Sequence, residues 1–219
     1  MALNYKDLKT AQRLNRAHYP ENMALRVHRA LSWLNRAEQC VDDLDAEFIF
    51  YWIAFNSAYS NEHNHQRGVT EQESFKNFLK LLCELDQDKI IYEFIWGEFA
   101  NSIRVLLDNK FIYQPFWDCR NQLAEPDSWK SRFQQAKKNA NRALASKQTS
   151  QVLAIIFSRL YTLRNQMLHG GSTWDSSVNR DQMRDSVTFL RKMIPVIIKI
   201  MMDNPRRFMG EPSYPVVKD

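Results

Sequence analysis

The sequence predicts an all-α fold, an up-and-down helical bundle with extra helices, and three observations indicate it. Glycine and proline are few, 5 and 7 of 219 residues, whereas a β fold needs the frequent turns that these residues supply. Apolar residues recur at intervals of three and four along most of the chain, which is the period of an amphipathic helix. These segments are long and are joined by short polar stretches, as in helical bundles.

The chain is long enough for one domain with short appendages. Its 219 residues are 44% apolar and 25% charged, which is an ordinary globular composition. We expect a basic N-terminal arm at residues 1–22, as a short helix or a mobile segment, and a single helical domain over residues 23–203. A proline-rich tail over residues 204–219 is expected to be extended or mobile. The formal charge of +5 permits an anionic partner without requiring one.

The sequence favours a cytoplasmic protein with no membrane partner. The N-terminus lacks the apolar core of a signal peptide. The longest apolar run, residues 193–202, is too short to cross a bilayer and contains Lys199. Cys40, Cys83 and Cys119 are odd in number and widely spaced, so we expect free thiols rather than disulfides.

Four helices are predicted in the first half of the chain. The first spans about residues 23–40, and the acidic turn at residues 42–45 supplies the N-cap of the second. The second helix, FIFYWIAFNSAYS at residues 48–60, is apolar on most sides and is therefore expected to be central and buried. Thr70 and Glu73 match a capping box at the start of the third. A fourth follows, and Gly97 is expected to loosen it.

Two histidines lie in the polar loop at residues 61–69, but they do not indicate a metal site. His63 and His65 have no cysteine and no carboxylate cluster beyond Glu62 nearby, so a ligand set is incomplete. We expect solvated loop side chains, and neither a metal nor a cofactor.

The middle of the chain contains an irregular stretch and then a strongly basic helix. Residues 111–129 are interrupted by Pro115 and Pro126, and their aromatic side chains are expected to hold this segment against the bundle. The next predicted helix, to about residue 147, contains six cations, and no Asp or Glu lies between Ser128 and Ser150. This helix is either a solubilising face or a nucleic-acid contact surface. The cations are Lys130, Arg132, Lys137, Lys138, Arg142 and Lys147.

The segment that carries the candidate chemistry is residues 158–171, SRLYTLRNQMLHGG. Arg164, Asn165 and His169 lie at the end of an apolar helical run, and Gly170 and Gly171 are expected to end that helix in a left-handed turn. On a regular helix, side chains five positions apart diverge by about 140° and 7.5 Å of rise. Arg164 and His169 therefore converge only if the last turn distorts, or if a second copy of the chain completes the site.

This segment resembles the Arg–polar–His signature of the HEPN superfamily. The aromatic helix at residues 48–60, which contains Asn56, is similar to the helix that precedes the signature in the Apea-like branch. The resemblance extends over residues 24–203 and implies a HEPN-type bundle. A buried amide such as Asn56 without hydrogen-bond partners would cost about 1–3 kcal/mol. Asn56 therefore either bonds the backbone or a neighbouring helix, or points towards the Arg164–His169 site.

The resemblance implies a metal-independent endoribonuclease that works as a homodimer. His169 would take the proton of a ribose 2′-hydroxyl, Arg164 would stabilise the phosphoryl charge, and Asn165 and Asn56 would orient the groups. The products would carry a 2′,3′-cyclic phosphate. The family further implies a toxin or phage-defence effector, with an antitoxin or another neutralising protein as partner. Lys130, Arg132, Lys137, Lys138 and Arg142 would then contact RNA.

The residues also allow a non-catalytic interpretation. Arg164 can cap the end of a neighbouring helix or pair with a core carboxylate, and His169 can be an ordinary helix-end residue. The chain would then be a helical dimerisation or binding module for nucleic acid, a nucleotide or a protein partner, since a fold does not determine an activity.

Overall fold

The computed structural model describes residues 3–60, 70–178, 180–212 and 214–215, and every regular element in these ranges is helical. The prediction of an all-α fold is confirmed. The helices, in chain order, are α1 Tyr5–Asn15, α2 Glu21–Glu38, α3 Leu44–Tyr59, α4 Glu71–Leu85, α5 Ile90–Glu93, α6 Ala100–Asp108, α7 Gln114–Arg120, α8 Ser128–Ala145, α9 Thr149–Leu168 and α10 Arg180–Asp203.

The chain is divided into two compact units, and the single domain expected over residues 23–203 stays a prediction. The first unit comprises Met1–Ile90 and Ser177–Asp219, and the second comprises Ile91–Ser176. The second unit is thus an insertion between α4 and α10 of the first. Helical periodicity shows which side of each helix is buried but not which helices share a core, so this division was not predictable from it.

The first unit is built around α3, as its apolar sequence predicted. α3 packs against α2 and α10, and α1 packs on both of these helices. Trp52 and Phe55 of α3 are fully buried. The predicted caps are also present, since the Asp43 side chain accepts a hydrogen bond from the backbone N–H of Ala46, and Thr70 with Glu73 forms the capping box.

The two ends of the first unit are more ordered than the sequence indicated. The N-terminal segment forms α1, the helical alternative, and buries Leu8 and Gln12. The tail forms a 3₁₀ turn at Pro205–Arg207, and Phe208 beyond it is buried with its ring 5.8 Å from that of Phe78. The tail is therefore packed against the unit at Phe208, where an aromatic anchor outweighs the local effect of the prolines.

The second unit contains two departures from helical regularity. Residues Phe94–Glu98, which include Gly97, form a π-helical turn between α5 and α6. The helix is thus irregular at the glycine where the sequence predicted a looser turn. Within the stretch expected to be irregular, α7 begins with Pro115 in its first turn. Proline is favoured there because that N–H has no helical partner, so Pro115 starts a helix where we expected an interruption.

Aromatic side chains hold the segment around α7 in place, as expected. The ring of Phe116 lies 5.0 Å from that of Trp129 in an edge-to-face contact, and Tyr113 lies 5.2 Å from Phe133. The guanidinium of Arg159 on α9 lies 4.3 Å from the centroid of the Tyr113 ring. These rings are consequently part of the packing of the second unit.

The three cysteines are free thiols, and two of them are expected to resist alkylation. Burial raises the pKa of Cys83 to about 12, with Asp86 and Glu84 adding to the effect, and burial also raises the pKa of Cys40. Because the thiolate is the reactive form, native Cys83 and Cys40 should react with iodoacetamide at pH 8 at least about tenfold more slowly than in urea. Peptide mass spectrometry over time measures this. Equal rates in both conditions would contradict the buried positions of these thiols.

Candidate active site at the end of helix α9

The end of α9 is closed by the two glycines, as the sequence predicted. Gly170 has a φ of +70°. Its N–H donates to the carbonyl of Met167 at 3.2 Å, and the N–H of Gly171 donates to that of Gln166 at 2.7 Å. This pair of bonds defines a Schellman motif. A Cβ at Gly171 would lie 3.0 Å from the Gln166 carbonyl oxygen, so the backbone requires both glycines.

Arg164 is half-buried one turn before the end of α9 and is held by residues of its own helix. Its Nη1 donates to the Asn165 Oδ1 at 2.9 Å, and its guanidinium lies 5.8 Å from the centroid of the Tyr161 ring. The Nε atom is buried and has no hydrogen-bond partner. Among the described residues, neither a carboxylate nor a main-chain carbonyl accepts a hydrogen bond from Arg164. The ion pair and the helix cap that we considered as structural roles are therefore not found in the described ranges.

His169 is the C-cap residue of α9, and its side chain is exposed. Its N–H donates to the carbonyl of Asn165 at 3.0 Å, while its own φ of −97° and ψ of 16° already depart from helical values. Side chains five positions apart on a regular helix diverge by about 140°. Arg164 is hydrogen-bonded to Asn165, and no hydrogen bond joins Arg164 to His169 among the described residues. A site that contains both Arg164 and His169 stays a prediction.

A second arginine of α9, Arg159, is packed in the interior of the second unit and serves as a comparison for Arg164. Arg159 is only 5% exposed, and its guanidinium lies 4.3 Å from the centroid of the Tyr113 ring and 5.5 Å from that of Phe133. Burial lowers the pKa of Arg159 to about 10. Arg164, by contrast, is half-buried and held by a polar neighbour. The packing therefore distinguishes Arg164 from Arg159, and the sequence motif likewise assigned a role only to Arg164.

Two residues near the motif were not singled out from the sequence. Tyr161 lies one turn before Arg164 and provides the aromatic face beside its guanidinium. Spacing of three residues places side chains on one helix face, so this contact was accessible to sequence reasoning. The Gln166 side-chain amide donates to the main-chain carbonyl of Phe111, which anchors the helix end to the preceding segment. No local signal in the sequence indicates this second contact.

Asn56 lies on α3 in the first unit and is half-buried. Its Oδ1 is buried and accepts no hydrogen bond from any residue that the structure describes. A bond from the Asn56 amide to the backbone or to a neighbouring helix is therefore not seen for this oxygen within the described ranges. Its supporting role towards Arg164 and His169 stays a prediction.

The basic helix α8 presents fewer available cations than its sequence indicates. Lys130 pairs with Asp127 at 2.9 Å and Lys137 with Asp108 at 2.8 Å, and Lys147 lies beyond the end of α8. Asp127, at the N-cap position, makes no side-chain cap bond. Within the described parts of the chain, the predicted contact residues that are exposed and form no ion pair are Arg132, Lys138 and Arg142.

His63 and His65 lie outside the described residues, and within those residues no three His, Cys, Asp or Glu side chains are grouped to hold a metal ion. The described helices include none that is both long and apolar enough to span a bilayer. Comparisons with protein-family models, curated proteins and solved structures give no match for this chain.

Proposed function

We propose that this protein is a metal-independent endoribonuclease whose site is formed by Arg164 and His169 of two copies of the chain. The observation that carries the proposal is the environment of Arg164. Its guanidinium is held by Asn165 without a carboxylate among the described residues, one turn from an exposed histidine. A guanidinium whose charge is not neutralised is suited to bind a phosphate through parallel hydrogen bonds.

The chemistry assigned to these side chains is transesterification within RNA. His169 of one copy takes the proton of a ribose 2′-hydroxyl, the oxygen attacks the adjacent phosphorus, and the bond from phosphorus to the 5′-oxygen breaks. The departing oxygen takes up a proton from solvent water. Arg164 stabilises the charge that grows on the phosphoryl oxygens, and Asn165 keeps its guanidinium in position. The products are a 2′,3′-cyclic phosphate and a 5′-hydroxyl.

The homodimer is part of the proposal because side chains five positions apart on one helix diverge by about 140°. A two-fold axis beside the end of α9 places two arginines and two histidines around one cleft. Two large apolar side chains, Leu168 and Trp174, are 54% and 74% exposed on either side of the glycine turn. Exposed aromatic and aliphatic side chains of this kind favour an interface at this end of the helix.

The decisive experiment is cleavage of a labelled RNA by the purified protein in EDTA. We expect cleavage to persist, to leave 2′,3′-cyclic phosphate ends, and to stop at a position where a single 2′-deoxynucleotide replaces the cleaved one. The deoxy substrate is the matched control, because it retains the sequence and the phosphates. Cleavage at the 2′-deoxy position, or loss of all cleavage on chelation, would exclude this mechanism.

We further propose that the protein acts in the cytoplasm as a toxin or phage-defence effector, where an antitoxin or another protein would neutralise it. Induced expression of the wild type should then stop cell growth, and expression of His169→Ala to the same level should not. Growth arrest by both would show that the cellular effect does not require the histidine.

The alternative function, a non-catalytic nucleic-acid-binding module, is favoured by the unpaired cations of α8. We expect the double variant Lys138→Gln, Arg142→Gln to bind RNA more weakly. The slope of the logarithm of the binding constant against the logarithm of the salt concentration should fall in magnitude by about 1.4, which corresponds to two lost phosphate contacts on single-stranded RNA. The control is Lys130→Gln with Lys137→Gln, which removes the same charge from cations already paired with Asp127 and Asp108. Fluorescence anisotropy at several salt concentrations measures both.

Equal slopes for the two double variants would contradict a specific contact surface on α8. If His169→Ala retained both RNA affinity and cellular effect while the α8 variant lost them, the binding module would replace the ribonuclease as the preferred function.

A further inference from the structure

A second candidate site lies in the first unit, away from the residues used above. A cavity of about 200 Å³ is bordered by α2, α4 and the tail. Two arginines, Arg26 and Arg207, and the amide of Asn77 contribute to its polar side, and Phe78, Leu81 and Phe208 contribute apolar walls. No Asp or Glu is among the described residues that line this cavity.

Arg26 is the unusual member of this cavity, because it is a buried cation that pairs with no carboxylate among the described residues. It is 3% exposed. Its Nε and Nη2 both donate to the main-chain carbonyl of Ala58, and its Nη1 donates to the carbonyls of Phe208 at 3.3 Å and Gly210 at 3.5 Å. All of its partners among the described residues are thus neutral carbonyls. Burial lowers the pKa of Arg26 to about 10, which reflects an environment that disfavours the charge.

The contacts that Arg26 makes leave both charge and hydrogen-bonding capacity unused. Ala58 is in the last turn of α3, and the partial negative charge at a helix C-terminus, about half an elementary charge, offsets only part of the guanidinium. Four bonds from five N–H groups leave one N–H of Nη2 without a described acceptor. Buried charges in proteins are normally paired, so the cavity beside Arg26 is suited to an anion.

We propose that this cavity binds a small organic anion with a carboxylate or phosphate head group on a short apolar body. The head group accepts hydrogen bonds from Arg26 and from Arg207, which is exposed at the mouth of the cavity and can close over the ligand. The apolar body lies against Phe78, Leu81 and Phe208. Sites for drug-sized ligands are about 300–1,000 Å³, so a cavity of about 200 Å³ takes a ligand about the size of one substituted ring.

The test uses probes that separate the head group from the body. Phenyl phosphate and benzoate contain both parts, inorganic phosphate contains only a head group, and benzyl alcohol contains a ring without charge. We expect phenyl phosphate or benzoate to raise the melting temperature of the full chain and to bind in calorimetry. Inorganic phosphate should bind at least about tenfold more weakly, because it gains nothing from the apolar walls, and benzyl alcohol should not bind. Binding of inorganic phosphate as tightly as the aromatic anions would overturn the proposed ligand class, and so would absence of binding by both aromatic anions.

The variants rely on two adjacent arginines that differ in position. Arg206 and Arg207 are both exposed in the same 3₁₀ turn, but only Arg207 lines the cavity. Arg207→Gln should weaken binding of the aromatic anion at least about tenfold, whereas Arg206→Gln should leave it unchanged. Equal affinities for the two variants would overturn the site.

A third variant gives a readout that does not depend on removing Arg26, whose loss would also release its carbonyl partners. Asn77→Asp places a carboxylate at the cavity, where it supplies the missing negative charge. We expect this variant to melt at a higher temperature than the wild type without ligand, and to lose the ligand-induced increase. A variant that binds the aromatic anion as the wild type does would contradict the assignment.

Discussion

Replacing His169 by Ala is expected to lower the rate of RNA cleavage by about 10²–10⁴-fold, the usual contribution of a general acid or base. Replacing Arg164 by Ala should cost about 10²–10³-fold, as for the loss of a donor that stabilises transition-state charge. Arg164→Lys should not restore the rate fully, because an ammonium group does not reproduce the parallel bonds of a guanidinium. Rates are compared under single-turnover conditions in EDTA.

The matched controls for these variants are an exposed histidine and an exposed arginine elsewhere. His28 on α2 and Arg104 on α6 are both exposed, so His28→Ala and Arg104→Ala change the same residue types without touching the end of α9. His169→Ala, His28→Ala and Arg104→Ala change exposed residues and should unfold within about 0.5 kcal/mol of the wild type. Arg164 is half-buried, so circular dichroism checks that Arg164→Ala is folded before its cleavage rate is compared. A loss of cleavage in the control variants would show that the effect is not specific to Arg164 and His169.

The dimeric site makes a sharper prediction for mixtures of the two inactive variants. A mixed dimer of Arg164→Ala and His169→Ala retains one arginine and one histidine in the shared cleft. Mixing the variants after partial unfolding should therefore give more cleavage than either alone, whereas sites confined to single chains would stay inactive. Native mass spectrometry establishes that mixed dimers have formed. Mixed dimers without recovered activity would argue against a cleft shared by two copies.

The largest effect on stability is expected for Phe55→Ala in α3. Phe55 is fully buried, and its ring centroid lies 5.5 Å from that of Trp52, 4.7 Å from Tyr59, 6.3 Å from Phe75 and 6.2 Å from Phe78. Removing a buried phenyl ring costs about 3–5 kcal/mol through lost burial and the cavity left behind. Urea unfolding followed by circular dichroism measures this loss.

The control for Phe55 is another phenylalanine of the same helix. Phe50 is half-buried and stacks on Trp33 with ring centroids 5.6 Å apart. Phe50→Ala changes helix propensity and side-chain volume equally but opens a site that water can fill, so a smaller loss of stability is expected. If both substitutions cost the same, the rings around Phe55 do not form the tightly packed core described above.

The features predicted well from the sequence are those with local causes. The capping box at Thr70 and Glu73 and the left-handed turn at Gly170 depend on a few neighbouring residues, and both are present. The start of α7 at Pro115 also has a local cause, but proline at the first helical turn and proline in a loop look alike in the sequence. Local rules identify the boundaries of helices better than they identify interruptions.

The features that were not predictable depend on residues distant in sequence. The ion pair of Lys137 joins α8 to Asp108 in α6, and charge counted along one helix does not include such a partner. Arg159 and Arg164 lie on one helix, and only the positions of Tyr113 and Phe133 reveal that Arg159 packs against two aromatic rings. The division into two units likewise depends on which helices share a core.

The contacts that hold the tail constrain the number of its residues more strictly than their identity. Arg26 binds the main-chain oxygens of Phe208 and Gly210, which every amino acid provides, and the intervening Met209 is 60% exposed. Substitution at Met209 is therefore tolerated, whereas one inserted residue between Asp203 and Phe208 displaces both the carbonyls and the ring that packs on Phe78. Among homologous chains, we expect the segment between Asp203 and Phe208 to vary in composition but to keep a constant number of residues.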